Sequence, residues 1–448
     1  MKRKIYDDLV KWKNDSKGKT ALFIKGARRV GKSFIAEEFA KENYKNYLLI
    51  DFSTVSDTVK DIFNNQLENL DNFFSLLSSY YHIKFYERDT LFIFDEVQLF
   101  PKARGAIKCL VKDGRYDYLE TGSLVSIRKN VQDIVIPSEE EQITLNPMDF
   151  EEFMWAINEE FLYEHIRKCF LNRESVGVLH RKAMECFRKY MLIGGMPQAV
   201  ETYINTLDFE KVDKVKRNIL TLYRDDIQKH GENSSFKIEK LFDEIPSQLK
   251  KHDKKFKITS LGKDAKTRDY NDAFLWLDDA KIINIAYNSN EPVVGLTMNL
   301  DNSTYKCYMA DTGLLLSLSF SEKEIMSNEI YNKILFDKLE FNAGMVIENI
   351  VGQMLVSSGR KLFFFSSYSD DKEERMEIDF LIQTDLITSK HNVSAIEVKS
   401  GKNYTITSLN KFKNKYKSYL DVSYVIHTGD FKTENNIVYL PIYMTSML

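Results

Sequence analysis

Cysteine, proline and glycine are scarce in this sequence. Its 448 residues include 4 cysteines, 7 prolines and 18 glycines. The cysteines are widely scattered and show no paired spacing, which argues against zinc sites and disulfides and predicts reduced thiols in the core. They are Cys109, Cys169, Cys186 and Cys307. Internal repeats and low-complexity tracts are also missing, so we expect compact structure throughout.

Long apolar runs are missing as well. No stretch approaches the roughly 18 uninterrupted apolar residues of a membrane span. The opening MKRKIYDDLVKWK has no apolar core of the kind found in a signal peptide. We therefore expect a cytoplasmic protein without membrane contact. A chain of 448 residues is also too long for one core and predicts about three domains.

Neither sign of charge is in large excess. The net charge of −3 excludes a uniformly basic nucleic-acid binder but not local basic faces. Residues 249–268 and 409–420 are both rich in lysine, and the second stretch has aromatic residues interleaved. They could contact DNA, although lysine runs are more often solvated surfaces, and both interpretations stay open.

A glycine-bracketed loop follows the apolar run ALFI at residues 21–24. Gly26, Gly31, Lys32 and Ser33 fit the pattern G-x-x-x-x-G-K-[ST], in which consecutive backbone N–H groups surround a phosphate. Lys32 would reach the β- and γ-phosphates of a nucleoside triphosphate, and Ser33 would ligate Mg²⁺. A plain glycine turn is the alternative. The residues predicted to bind nucleotide are Gly26, Ala27, Arg28, Arg29, Val30, Gly31, Lys32, Ser33 and Phe34.

An acidic pair ends a second apolar run, LFIF at residues 91–94. Such a run is typical of a strand buried on both faces. Asp95, at its tip, is predicted to hold Mg²⁺ through water, and Glu96 to orient or activate water for attack on the γ-phosphate. A helix cap made by the Asp-Glu pair is the alternative.

Two more strands are predicted, at residues 47–53 and 117–123. An extra strand between the glycine loop and the acidic strand, with Glu96 beside the metal aspartate, favours hydrolysis over nucleotide-kinase chemistry. Thr121 or Ser123 is a candidate sensor of the γ-phosphate, or else a simple polar strand end. An arginine could complete the site of a neighbouring subunit in a homo-oligomer. The sequence does not choose among Arg104, Arg115 and Arg128.

The alternation of strands and helices runs to about residue 145, and three further regions are predicted. Residues 146–235 are interpreted as a helical lid or connector, which the turn GGMP interrupts. Residues 236–300 show helices followed by a hairpin, the order of a winged helix. Residues 301–448 form the last region, which begins a new series of strands.

Two strands of this last region, MEIDFLIQ and VSAIEVKS, alternate apolar and polar residues. A hairpin centred on residue 388 would place Asp379 opposite Glu397, with Lys399 on the same face. Two carboxylates and a lysine can hold Mg²⁺ and steady an attacking water in phosphodiester hydrolysis. A surface ion-pair cluster is the alternative. Glu348, on a helix predicted over residues 341–355, is a candidate for a further metal ligand or a hydrogen-bond acceptor.

These segments resemble, in their order, a bacterial and archaeal family of AAA-type ATP-binding proteins. Members join an N-terminal ATPase to a C-terminal domain of unknown function that is similar to PD-(D/E)xK nucleases. The chain departs from many relatives in lacking a Gly-Arg pair in IVIPSEEEQITLNPMDF. The matching segments are GARRVGKS, FIFDEVQ, ETGS, LNPMDFEEF, GGMPQAV, YRDDI, CYMADTGLL, ENIVGQML, EIDFLI and AIEVKSGK.

The resemblance implies an α/β protein with ATP and Mg²⁺ as cofactors. Its parts would be an ASCE-type P-loop ATPase core over residues 1–145, a helical lid, a winged-helix-like connector and a restriction-endonuclease-like α/β domain. The implied catalytic residues are Lys32, Glu96, Asp379, Glu397 and Lys399. The implied metal ligands are Ser33, Asp95, Glu348, Asp379 and Glu397.

Three functions compete on this basis. The first is an ATP-driven protein whose C-terminal domain binds or cuts DNA. The second is a nucleotide-switched regulatory ATPase whose C-terminal domain binds DNA or a protein partner without cleavage. The third, a P-loop kinase or small-molecule transferase, is disfavoured because Glu96 beside Asp95 suits water activation and because such an enzyme would leave the C-terminal half without a role.

Overall fold

The structure is a computed structural model. It describes residues 1–122, 138–230, 234–251, 255–262, 265–293, 295–320, 326–335, 343–367, 369, 371, 374–384, 392–401 and 403–448. The chain divides into two compact units. Unit 1 comprises Met1–Asn146 with Asp279–Lys281, and unit 2 comprises Pro147–Asp278 with Ile282–Leu448.

Unit 1 is built on a parallel five-stranded sheet with the strand order β2-β3-β4-β1-β5. Strand β4 lies between β1 and the acidic strand β3, which is the order of ASCE-type P-loop ATPases and confirms the predicted α/β core. The strands are β1 Ala21–Lys25, β2 Asn46–Asp51, β3 Thr90–Asp95, β4 Asp117–Gly122 and β5 Glu140–Thr144. The helices are α1 Ile5–Ser16, α2 Lys32–Asn43, α3 Asp57–Asn65, α4 Leu70–Tyr81 and α5 Pro101–Asp113, with a 3₁₀ turn at Val97–Leu99.

The core of unit 1 is rich in aromatic rings. All residues of β3 and β4 are buried, as expected for strands covered by helices on both faces. Phe63 packs edge-on against Phe73 and Phe94, with ring centroids 5.1 and 5.6 Å apart. Such pairs add about 0.5–1.5 kcal/mol each to the burial of their apolar surface. This packing fixes the carboxyl end of β3, where the acidic pair lies.

Unit 2 begins with helices that pack around the turn GGMP. The turn requires glycine because a Cβ on Gly195 would lie 2.1 Å from Met148 O, and one on Gly194 would lie 2.3 Å from Asp311 Oδ1. The helices from Pro147 onward are α6 Phe150–Ala156, α7 Glu160–Asn172, α8 His180–Ile193, α9 Pro197–Thr206, α10 Phe209–His230, α11 Ser235–Lys250, α12 Asn271–Asp279, α13 Thr312–Ser319, α14 Asn328–Leu335, α15 Ala343–Ser357 and α16 Thr407–Lys415. Short 3₁₀ turns lie at Gly177–Leu179, Ile258–Ser260, Thr267–Asp269, Leu296–Asn299 and Ile442–Met447.

The rest of unit 2 is a mixed eight-stranded sheet in the order β12-β13-β11-β10-β9-β8-β6-β7. Helix α16 covers one face, where Leu409 and Phe412 join the core around Ile378 and Val425. The strands are β6 Ile283–Ser289, β7 Leu300–Met309, β8 Leu362–Ser367, β9 Met376–Gln383, β10 Val393–Val398, β11 Leu420–His427, β12 Lys432–Glu434 and β13 Ile437–Pro441.

Strand β6, from the stretch interpreted as a winged helix, pairs with β7 and with β8 in this same sheet. The winged-helix role of residues 236–300 stays a prediction.

All four cysteines are free thiols; Cys169, Cys186 and Cys307 are buried and Cys109 is partly buried. The absence of disulfides was expected from their spacing. Within the described ranges, no helix has the length and apolar character needed to cross a bilayer.

Candidate functional site

The glycine-bracketed loop joins the carboxyl end of β1 to the start of α2. Arg29 and Gly31 have left-handed backbone angles, with φ values of 70° and 95°, and these turn the chain sharply between strand and helix. Gly26 is required by close approach, because a Cβ there would lie 2.4 Å from Leu145 O. Helix α2 begins at Lys32, so its positive dipole end faces the loop.

Lys32 is only 7% exposed and folds back over its own loop. Its Nζ donates hydrogen bonds to Gly26 O at 3.1 Å and to Ala27 O at 3.0 Å. The ammonium group is therefore already at the place where the loop would surround a phosphate. Ser33 follows in the first turn of α2 and is partly exposed, while Phe34 is 55% exposed.

The acidic pair lies at the end of β3, as predicted. Asp95 is 8% exposed, and its Oδ1 accepts a hydrogen bond from the buried hydroxyl of Thr121 at the end of β4. Glu96 follows with a left-handed φ of 51° and accepts a hydrogen bond from Gln98 Nε2. Gly122 leaves room for this contact, because a Cβ there would lie 2.3 Å from Gln98 Oε1.

Sequence reasoning missed two contributors to this site. One is Gln98, which donates a hydrogen bond to Glu96. The only sequence feature that could have indicated it is its position two residues after the acidic pair. The other is Arg3, whose Nη1 donates to Val30 O at 2.9 Å and whose Nη2 donates to Asn146 O at 2.7 Å. Arg3 thus braces the phosphate loop from the start of the chain, and no local pattern marks it.

The structure distinguishes between the arginines that are candidates for completing the site of a neighbouring subunit. Arg104 is 1% exposed and lies between two carboxylates, 3.6 Å from Glu120 Oε2 and 2.9 Å from Glu140 Oε2. A role for Arg104 in a neighbouring subunit's site is therefore wrong, because its guanidinium is enclosed inside unit 1. Burial raises the pKa of Glu120 well above its ordinary value, although Arg104 opposes the shift.

Arg115 pairs with Asp71 and Asp113 at 2.7 Å each and keeps a partly exposed side chain, so its candidacy stays open. Ser123, the second candidate for sensing the γ-phosphate, and Arg128 lie outside the described residues.

The second predicted site lies on β9 and β10. These strands are antiparallel, with Ile396 opposite Phe380 and Ala395 opposite Leu381. One further step in this register brings Glu397 opposite Asp379, which confirms the predicted hairpin alignment. The backbone N–H of Val398 also donates to Asp379 Oδ2 at 2.8 Å.

Glu397 and Lys399 form the second half of this site. Lys399 Nζ donates to Glu397 Oε1 at 2.7 Å. Glu397 is 7% exposed, and its Oε2 is buried without a hydrogen-bond partner in the part of the chain that the structure describes. Burial and the nearby charge of Asp379 raise the pKa of Glu397 to about 7, although Lys399 opposes the shift.

Lys306 on β7 is a participant that sequence reasoning missed. Its buried Nζ lies 2.9 Å from Glu377 Oε1, 3.4 Å from Glu348 Oε1 and 3.7 Å from Asp379 Oδ1. Burial alone would lower the pKa of Lys306, but these carboxylates raise it well above its ordinary value. The only signal in the sequence was a lysine beside the apolar residues of a buried strand.

These side chains line a pocket of about 550 Å³ in unit 2, which we call the acidic pocket. Lys250 and Lys251, from the first lysine-rich stretch, also line it. Over the part of the chain that the structure describes, no three acidic, histidine or cysteine side chains are arranged to hold a metal ion. The predicted metal ligands of the C-terminal site, Glu348, Asp379 and Glu397, all line this pocket. The pocket is lined by Lys250, Lys251, Lys306, Gly344, Glu348, Glu377, Asp379, Glu397, Val398, Lys399, Thr405, Thr407 and Ser408.

Three family models match separate parts of the chain. Residues 18–154 match the AAA domain, residues 184–324 match the Domain of unknown function (DUF8612), and residues 343–444 match the Domain of unknown function (DUF4143). Together with the strand order and the phosphate loop, the first match shows that unit 1 has the fold of an AAA-type P-loop domain. No curated protein gives a significant sequence match.

The chain also aligns with solved structures from Aeropyrum pernix and Pyrobaculum aerophilum. The Aeropyrum pernix ORC1 protein in complex with DNA is 10% identical, with a TM-score of 0.26 over 72% of this chain and 94% of its own. The ADP form of the Aeropyrum pernix ORC2 protein is 12% identical, with a TM-score of 0.29 over 75% and 93%. Cdc6p from Pyrobaculum aerophilum is 12% identical, with a TM-score of 0.23 over 75% and 94%. A likeness at this level assigns no function to the chain.

Proposed function

We propose that unit 1 binds ATP with Mg²⁺ and hydrolyses it to ADP and phosphate. The observation that carries this proposal is the buried ammonium of Lys32 against the carbonyls of its own glycine loop. The carbonyl contacts of Lys32 are those of a neutral amide, and a triphosphate would offer it a stronger, charged partner. The AAA domain match over residues 18–154 supports the same assignment.

The residues present suit a hard divalent cation. Ser33 and Asp95 supply oxygen donors, the type that Mg²⁺ prefers. When bound through the Ser33 hydroxyl and, by way of water, through Asp95, Mg²⁺ would neutralise charge on the β- and γ-phosphates. The contact with Thr121 is consistent with a metal-binding role for Asp95. The hydroxyl donates to one carboxylate oxygen and so holds the carboxylate in one orientation.

In this proposal Glu96 is the general base. The carboxylate would accept a proton from the water that attacks the γ-phosphorus, while the bond to the β,γ-bridging oxygen breaks and ADP leaves. Gln98 would hold Glu96 in position through its amide, and Lys32 would stabilise the charge on the transferred group. A cytoplasmic location and a homo-oligomer that shares an arginine stay predictions.

Calorimetry tests the nucleotide assignment. Purified full-length protein should bind ATP in the presence of Mg²⁺ with saturable heat, and it should release phosphate under the same conditions. Absence of ATP uptake at millimolar nucleotide would overturn the proposal for unit 1.

A second proposal concerns the acidic pocket, which we expect to bind nucleic-acid phosphates. Four lysines line it, and Lys250, Lys251 and Lys399 can neutralise phosphate groups. Cutting and binding without cutting remain the two forms of this proposal. Asp379 opposite Glu397, beside Lys399, favours cutting. The contacts of Lys306 with the acids favour binding alone.

Nicking assays separate these forms. Mg²⁺-dependent nicking of DNA that is lost in Lys399→Ala and Glu397→Ala would establish cutting. DNA binding, or stimulation of ATP turnover by DNA, in a protein that does not nick would establish the non-cutting form. If DNA neither binds nor changes turnover, the nucleic-acid role of the pocket is wrong.

A further inference from the structure

The ammonium group of Lys306 lies beside two carboxylates predicted to bind a metal ion, those of Glu348 and Asp379, and beside that of Glu377, for which no metal role was predicted. Three carboxylate oxygens, one each from Glu348, Glu377 and Asp379, are within 3.7 Å of its Nζ. The ring of Phe364 covers the same ammonium, with its centroid 5.1 Å from Nζ. The position of this charge is therefore fixed by packing as well as by ion pairs.

Fixed donors already hold two of these carboxylates. The hydroxyl of Tyr308 donates to Glu348 Oε1 at 2.6 Å, and the N–H of Val398 donates to Asp379 Oδ2 at 2.8 Å. A divalent ion needs carboxylate oxygens at about 2.0–2.6 Å. It would have to compete with these donors and also approach a buried positive charge that cannot leave the chain.

We propose that Lys306 is the internal counter-ion of the acidic pocket and excludes divalent metal ions from the three carboxylates that it contacts. The pocket then takes phosphate-bearing ligands through its lysines without a metal. For the identity of this ligand, the inference rests on the nucleic-acid role proposed above. Metal uptake by protein free of DNA and nucleotide tests the exclusion separately.

The space left to a ligand lies beside Glu397 and Lys399. Glu397 Oε2 is buried, has no hydrogen-bond partner among the described residues and belongs to a residue that lines the pocket. This atom suits a hydrogen-bond donor on the ligand, such as a sugar hydroxyl or a base amino group. The lysines at 250, 251 and 399 supply positive charge for the phosphate of the same ligand.

Binding of Mn²⁺, followed by electron paramagnetic resonance, tests the exclusion. Every sample is full-length, nucleotide-free protein carrying Asp95→Asn, which removes the metal carboxylate of unit 1. With Lys306 intact, we expect no saturable uptake up to about 1 mM Mn²⁺, the weak limit of protein sites for such ions. Lys306→Met should gain a site that binds at least about tenfold more tightly.

Three further variants locate the effect. Lys306→Arg keeps the charge and should not gain the site. Lys251→Met removes a different pocket lysine and should not gain it, which controls for a general loss of positive charge. Adding Asp379→Asn to Lys306→Met should abolish the gain, because the new site uses that carboxylate.

Two results would overturn the inference. One is saturable Mn²⁺ uptake by protein with Lys306 intact that disappears on Asp379→Asn; this comparison decides the matter even if Lys306→Met fails to fold. The other is a folded Lys306→Met protein, judged by circular dichroism, that gains no uptake. DNA binding measured in the presence of a chelator is a separate readout, and its absence would count against the nucleic-acid role alone.

Discussion

The hydroxyl of Thr121 donates a hydrogen bond to Asp95, and so joins the ends of two neighbouring strands at the candidate nucleotide site. Both side chains are buried, so the contact is protected from water. The contact therefore joins the residue predicted to sense the γ-phosphate to the residue predicted to hold the metal.

Replacing Thr121 by valine tests this contact. Thr121→Val keeps the shape of the side chain but leaves Asp95 without its donor, so we expect phosphate release to slow by about tenfold. ATP affinity should change little. Thr121→Ser retains a hydroxyl and should preserve most of the turnover. Equal turnover by the valine and serine variants would show that the hydroxyl has no role in hydrolysis.

Removal of the Lys32 ammonium should abolish useful nucleotide binding. Lys32→Ala loses the charge that we expect to pair with the β- and γ-phosphates, and ATP affinity measured by calorimetry should fall by about a hundredfold. Lys41→Ala is the matched control. Lys41 lies on the same helix, where it pairs with Glu37 and Glu38 at the surface. Wild-type affinity in the Lys32 variant would contradict the phosphate-binding role.

Glu96→Gln should separate binding from hydrolysis. The amide cannot accept the proton of the attacking water, so we expect ATP to bind while phosphate release slows by about 10²–10⁴-fold. Single-turnover phosphate release with excess enzyme measures this step directly. Glu38→Gln, an exposed change on α2, should release phosphate at the wild-type rate. Normal hydrolysis by the Glu96 variant would exclude water activation by this residue.

Gly122→Ala should act through Gln98. The added Cβ would lie 2.3 Å from Gln98 Oε1, so the amide must move and release Glu96. We expect turnover to fall by about tenfold, because Glu96 is then misplaced. In the Gln98→Ala background, Gly122→Ala should cause almost no further loss of turnover. Additive losses of turnover in the double variant would show that the glycine acts independently of Gln98.

Lys216 should make the free energy of unfolding of unit 2 rise with pH in the alkaline range. Its buried Nζ donates to Leu192 O and to the Tyr331 hydroxyl at 2.8 Å each, and burial lowers the pKa of Lys216 from 10.5 to about 8, although Asp213 opposes the shift. Between these two pH values the unfolded chain binds the extra proton, so this group makes the free energy of unfolding rise with pH. The contribution is up to about 3 kcal/mol.

Urea unfolding followed at several pH values measures this effect. Lys216→Met should flatten the rise between about pH 8 and pH 10.5. Lys214→Met, an exposed change on the same helix, should leave the slope as it is in the wild type. An unchanged slope in the Lys216 variant would show that this lysine stays protonated in the folded protein.

Local pattern was enough to predict the parts of the site that are consecutive in the chain. The loop from Gly26 to Phe34 and the pair Asp95 and Glu96 occupy the predicted ends of strands. The register that brings Asp379 opposite Glu397 was also predictable, because the length of a hairpin fixes which residues pair.

What could not be predicted depends on contacts between distant segments. Arg3 contacts Val30, and Lys306 contacts Glu377, but neither Arg3 nor Lys306 is marked by spacing or periodicity in the sequence. The burial of Arg104 could not be predicted for the same reason. Its enclosure follows from Glu120 and Glu140 on two strands that only the sheet brings together. Such ion pairs are decided by tertiary packing, which strand and helix patterns do not encode.

The positive charge of Lys306 is covalently part of the protein. Chelation can strip a metal-loaded centre, whereas the ammonium of Lys306 stays among its three acidic side chains when metal ions are removed. Fluctuations of free magnesium in the surroundings would then alter the nucleotide site and leave the C-terminal pocket ready for its ligand.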